Sequence, residues 1–171
     1  MKLKILLAAA LAVFLSPFAF SPAPAHAKGT VVAMNDSFLP GTIVVRTNER
    51  RLYLVIGGGQ AIAYPVGVGR AGRQWSGESY IDGKYTRPAW SPPAVVRHDH
   101  PNLPNVVPGG SSHNPMGVAA MSLAGGEYAI HGTNQPDSIG HFVSYGCIRM
   151  YNEDIADLFE RVSVGTRVVV Q

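Results

Sequence analysis

Three runs of β-branched and aromatic residues follow one another almost without pause: Thr42 to Arg46, Arg51 to Ile56 and Gln60 to Val68. Between them stand only Thr47-Asn48-Glu49-Arg50, which reads as a hairpin loop, and the turn Gly57-Gly58-Gly59. This pattern predicts a β-rich domain. Pro65, near the end of the third run, predicts an edge position or a strand terminus, because proline brings no N–H to a ladder.

The rest of the chain is less regular. From Gly69 to Met116 it is rich in Gly, Pro, Ser and Asn, with a short strand expected only near Ser79 to Ile81. A connection this long inside a compact domain is more often functional than idle, which makes it the candidate for a substrate-covering loop. Met116 to Leu123 and Glu127 to His131 read as two further strands around Ala124-Gly125-Gly126, so that His131 falls at a strand end. Asn152 is expected as an N-cap, with Glu153 and Asp154 in the first turn and Ile155, Leu158, Phe159 and Val162 spaced as one helical face. Gly165 closes the turn after this helix, and Thr166 to Val170 reads as a last strand. The fold expected is mainly β, with a long irregular loop region and one short helix.

The N-terminus reads as an export signal. Lys2 and Lys4 precede an apolar run from Ile5 to Phe20, and Ala25-His26-Ala27 offers a cleavage site before Lys28. Ser16 and Pro17 break the run, which is short for a bilayer span of about 20 apolar residues; retention as an anchor is the lesser alternative. Removing 27 of the 171 residues leaves 144, residues 28–171, enough for one domain with its core from about residue 40. The formal charge of +3 also falls to +1, because Lys2 and Lys4 leave and every acidic residue stays. Such a balance gives no electrostatic footprint for nucleic acid.

Cys147 is the only cysteine, in a chain expected to reach a compartment where thiols are normally paired. A nucleophilic thiol needs a nearby histidine, and His131 and His141 both lie upstream. His131 is preferred, since it ends a strand, precedes the turn Gly132-Thr133-Asn134 and lies sixteen residues from the cysteine, far enough for the chain to return. Gly146 permits a tight turn with inward amides suited to a developing oxyanion. Arg149 either holds a substrate carboxylate or forms a structural ion pair with Asp154 or Asp157.

His131-Gly132-Thr133-Asn134, Ser138-Ile139-Gly140 and Ser144-x-Gly146-Cys147-Ile148-Arg149-Met150-x-Asn152-x-Asp154 together resemble the signature of the L,D-transpeptidase catalytic domain, the YkuD-like family. Weaker likeness runs upstream through Pro65 to Gly69, Trp75-Ser76-Gly77, Pro92-Pro93 and Asn114 to Gly117. The resemblance implies a β-sandwich and an activity on peptidoglycan stem peptides in the periplasm or cell envelope, with no cofactor. It implies Cys147 as nucleophile, His131 as base and the Gly132 carbonyl orienting the imidazole. Ser144, Tyr145, Gly146 and Arg149 are implied at the oxyanion hole or substrate. Many members carry a histidine where this chain has Tyr145, which bears on acceptor choice and pH optimum.

The expected reaction is release of D-alanine from a tetrapeptide stem and transfer of the acyl group to a diamino-acid amine. Water as acceptor, giving an L,D-carboxypeptidase, and an amine on an outer-membrane protein remain alternatives, as does a non-enzymatic wall-binding module. The loop residues His98, Asp99, His100 and His113 form a weak metal pattern and are read as solvated or substrate-facing. Trp75, Trp90 and Tyr80 are read either as cleft lining or as packing for irregular chain, and His141 as a surface residue.

Overall fold

The computed structural model describes residues 29–35, 37–126 and 128–171; the expected export signal lies outside them. Among the described residues no helix is long and apolar enough to cross a membrane. The predicted meander is present as β2 (Ile43–Arg46), β3 (Arg51–Gly57) and β4 (Gln60–Gly69), joined antiparallel. A strand not foreseen, β1 (Thr30–Ala33), adds antiparallel to β4, and the C-terminal β10 (Arg167–Val170) adds parallel to β2.

Two long strands belong to both halves of the domain. β5 (Gly77–Thr86) pairs with β10 through Gly77 to Tyr80, and through Ile81 to Thr86 with β6 (Ala119–Leu123). Only Ser79 to Ile81 of this strand are expected from the sequence, because Asp82-Gly83 looks like a turn. It is a register shift between Ile81 and Gly83, which lets the strand bend from one sheet into the other. β4 does the same at Pro65. Residues up to Pro65 pair with β3, while Val66 and Gly67 pair with β9 (Ile148–Met150), and Val68 and Gly69 with β8 (Phe142–Ser144). Pro65 is therefore inside β4 and not at its terminus, and it is paired on one side only, with Arg51, between the end of the β1 ladder at Ala63 and the start of the β9 ladder at Val66. It marks the point where β4 changes sheets, and the ladder resumes with Val66 N–H donating to Arg50 O at 2.9 Å.

The circuit closes through β7 (Ala129–His131), antiparallel to β6 and parallel to β9. The result is a mainly β, sandwich-like domain whose sheets share two strands. Ile43, Leu52, Tyr64, Met121, Ile130 and Ile148 from both halves meet in one core.

Helix α2 (Asn152–Arg161) covers that core with Ile155 and Leu158, both fully buried. Its C-terminal carbonyls are met by Lys84 of β5, whose Nζ donates to Phe159 O at 2.6 Å and Val162 O at 2.7 Å. Two expectations fail in the helical parts. Asn152 does not cap α2; Tyr151 holds the N-cap position and the Asn152 amide turns toward the His131 turn. A second helix, α1 (Ala94–Asp99), stands in the loop region directly after Pro93, where prolines had suggested irregular chain.

Candidate active site

β7 and β9 run side by side, with Ile130 opposite Ile148 and His131 opposite Arg149. Alternation along a strand then sends Cys147, Arg149 and His131 to one face. All three line a cleft of about 490 Å³, which Val96 of α1, Pro115 and Met116 help to enclose. The loop proposed as a substrate cover thus forms a wall of this cleft.

His131 is 4 % exposed. Its Nδ1 lies 2.6 Å from the Gly132 carbonyl oxygen, which can only accept, so Nδ1 carries the proton and Nε2 keeps a free lone pair. Burial pulls the imidazole pKa down to about 4, the Gly132 carbonyl opposes this, the nearby Arg149 charge adds to it, and the Pro115 backbone opposes it. Cys147 shifts the other way: burial raises its pKa, while the Ala129 backbone and Arg149 pull it back. Both shifts favour the neutral forms, thiol and imidazole, of two groups that line the same cleft.

The turn carrying Cys147 is held from three directions. Ser144 Oγ donates to Cys147 O at 2.6 Å and accepts from Gly146 N–H at 3.1 Å. Trp75 donates its indole N–H to Gly146 O at 2.9 Å and stacks on Tyr128, with ring centroids 4.9 Å apart. Tyr128 in turn packs on Gly146, where φ is +120° and a Cβ would collide with the ring. Glycine is required there by both conformation and space. Trp75 is therefore a packing brace, whereas Trp90 lines the cleft; Tyr80 lies outside it on β5, 49 % exposed.

Two asparagines fix the other wall. Asn152 Oδ1 accepts from Thr133 N–H at 3.1 Å and Val118 N–H at 3.3 Å, and its Nδ2 donates to Thr133 O at 3.0 Å. A Cβ on Gly132 or Gly117 would strike this amide, so both glycines let it enter. Asn114, 1 % exposed, donates to Pro88 O and Pro108 O and accepts from Met116 N–H. These roles, like those of Ser144 Oγ and Tyr128, were not read from the sequence.

Tyr145 faces α1. Its hydroxyl donates to Asp99 Oδ2 at 2.7 Å, Arg70 lies 4.1 Å over its ring, and Arg70 pairs with the same Asp99 oxygen at 2.7 Å. Hydrogen bonds from Tyr145, His98 and Arg70 hold the Asp99 carboxyl well below the usual range. Arg149 donates to Gln135 Oε1 at 3.3 Å; Asp157 pairs instead with Arg161, and Asp154 accepts from Gly29 N–H. Among the described residues no three His, Cys, Asp or Glu side chains gather as a metal would need. His141 lies exposed outside the cleft.

Residues 40–170 match the family model of the YkuD L,D-transpeptidase catalytic domain. A Salmonella typhimurium protein named "Probable L,D-transpeptidase ErfK/SrfK" is 41 % identical over 154 residues, covering 82 % of this chain and 48 % of its own length. The chain therefore spans about half of that relative. The Bacillus licheniformis protein YkuD is 35 % identical over 136 residues, covering 80 % of this chain and 68 % of its own. Among solved structures, an L,D-transpeptidase from Mycobacterium tuberculosis H37Rv superposes with a TM-score of 0.58 at 17 % identity, covering 76 % of this chain and 57 % of that one. The E. faecium L,D-transpeptidase catalytic domain acylated by ertapenem superposes with a TM-score of 0.57 at 20 % identity, covering 76 % and 95 %. At these identities the likeness is one of fold.

Proposed function

Because the chain belongs to the YkuD family of L,D-transpeptidase catalytic domains, we propose that it is a peptidoglycan L,D-transpeptidase working through a thioester on Cys147. The observation that carries this reading is one cleft holding Cys147 and a buried His131 whose Nδ1 is tied to Gly132 O, leaving Nε2 for proton transfer.

From the neutral forms of both groups, the thiol proton passes to His131 Nε2 as sulfur attacks the carbonyl of the L-centre diamino acid in a tetrapeptide stem. Arg149 favours the charge on sulfur, and the Gly132 carbonyl and Pro115 backbone favour the imidazolium. The carbonyl oxygen becomes an oxyanion. The backbone amides around Tyr145, Gly146 and Cys147, which the family resemblance implies as its donors, would receive it, the Gly146 N–H being shared with Ser144 Oγ. Collapse breaks the C–N bond, and the imidazolium protonates the leaving D-alanine amine. A side-chain amine of a second stem then gives its proton to Nε2, attacks the thioester and releases the thiol with a three-to-three cross-link.

On this reading residues 1–27 direct export to the periplasm or cell envelope, residues 28–171 form the catalytic domain, and stem peptides are the partners. Incubating residues 28–171 with tetrapeptide muropeptides and analysing products by mass spectrometry tests it. Cross-linked dimers are expected. Tripeptide monomers alone would make it a carboxypeptidase, and unchanged substrate would remove both activities and leave a wall-binding module.

A further inference from the structure

The cleft is lined by two arginines, Arg73 and Arg149, and by no aspartate or glutamate among the described residues. Two cations at one cleft, with no carboxylate among its described lining residues, favour an anionic ligand. The two are held differently. Arg149 is partly buried beside the thiol and bonded to Gln135. Arg73 stands exposed, its guanidinium 5.8 Å from the Tyr145 ring centroid.

Arg73 is also well placed. Its N–H closes a turn onto Arg70 O at 2.9 Å, and its carbonyl packs so closely on Gly69 at the end of β4 that no Cβ would fit there. The adjacent Arg70 shares the Tyr145 ring but is neutralised by Asp99, whereas no carboxylate among the described residues pairs with Arg73. A guanidinium steadied on an aromatic face loses less freedom on meeting a planar carboxylate.

Resting on the transpeptidase reading, we propose that Arg73 recognises a free carboxylate of the stem peptide, so that the enzyme prefers stems with free side carboxylates over stems carrying the amide there. Arg149, beside the sulfur, serves the reacting centre, and Arg73 meets a carboxylate farther along the peptide.

Calorimetric titration of the Cys147→Ala protein with a tetrapeptide stem tests this. The stem is used in two forms, with its glutamyl and diamino-acid carboxylates free or amidated. The free form is expected to bind about two- to fivefold more tightly, the range for an ion pair near solvent. Arg73→Gln in the same background should weaken the free form to the level of the amidated one and leave the latter alone, and Arg73→Lys should restore part of the difference. With Cys147 present, the loss should fall on KM rather than kcat, and alkylation of the thiol by neutral iodoacetamide should not change. Equal affinities for the two stems, a preference that survives Arg73→Gln, or equal weakening of both forms overturns the proposal. Discrimination through Arg73 in a protein that shows no turnover would refute the transpeptidase reading and leave the carboxylate site standing.

Discussion

Burying an imidazole is unfavourable only while it is charged, so His131 links the stability of the fold to pH. Unfolded, it takes up a proton near its ordinary 6.5; folded, it resists until about pH 4. Between those values the unfolded state binds more protons, so stability falls as pH falls, by up to about 3 kcal/mol. Urea denaturation from pH 7 to pH 4.5 should show this loss in wild type and a smaller one in His131→Gln; equal slopes would deny that His131 is neutral in the fold. At Ser144 the hydroxyl serves two partners, Cys147 O and Gly146 N–H. Ser144→Ala should cost about 1–3 kcal/mol of stability, since it strands a buried amide and carbonyl. On the transpeptidase reading it should also slow acylation of Cys147 by a tetrapeptide stem about tenfold by loosening the turn. An unchanged acylation rate would mean that the turn holds without it.

Among the elements, α1 is the one whose position rests on few contacts. It is six residues long, and Tyr145 and Arg70 both reach it through Asp99. Tyr145→Phe keeps the ring under Arg70 and removes one hydrogen bond. Amide exchange across Ala94 to Asp99 should quicken about fivefold, and water should gain on the amine as acceptor, raising the ratio of tripeptide to cross-linked dimer. An unaltered exchange rate would show that α1 is held by other means. The C-terminus of α2 gives a separate test: Lys84→Met removes both donors to Phe159 O and Val162 O and should lower stability by about 1–3 kcal/mol. Elements with local periodicity were legible in the sequence: the β2 to β4 meander, the β6–β7 hairpin and the apolar face of α2. β8 and β9 were not: each is three residues long with no alternating run beside it, and their places are set by pairing with β4 and, for β9, also with β7.

At the scale of the molecule, β4 and β5 tie the two sheets into one circuit around a main core, with a smaller cluster of Met34, Val44, Val55 and Ala61 beside it, so the domain should unfold as a unit. Tryptophan fluorescence from Trp75 and Trp90 beside the cleft and far-ultraviolet dichroism from the sheets should give coincident transitions. Leu158→Ala should shift both together by about 2–5 kcal/mol. The chemistry of the cleft was legible where a residue type announces itself. A lone thiol, a strand-end histidine and a glycine before the nucleophile identify themselves without a partner. The braces were not, since Asn152 looks like a helix cap and Asn114 like a turn residue until the chain folds them against Thr133 and Pro88. Pro65 was legible in part: it falls where β4 is paired on one side only, but that this is a passage between sheets and not a strand end shows only in the fold.

The central claim is a thioester between Cys147 and a stem peptide that has lost D-alanine. Intact-protein mass spectrometry after brief mixing of residues 28–171 with a tetrapeptide stem whose diamino-acid side-chain amine is acetylated, so that no acceptor amine is present, tests it most directly. The account predicts a gain equal to the stem minus D-alanine in wild type and none in Cys147→Ala. The same gain in both proteins, or free D-alanine produced by the Cys147→Ala protein, would contradict it.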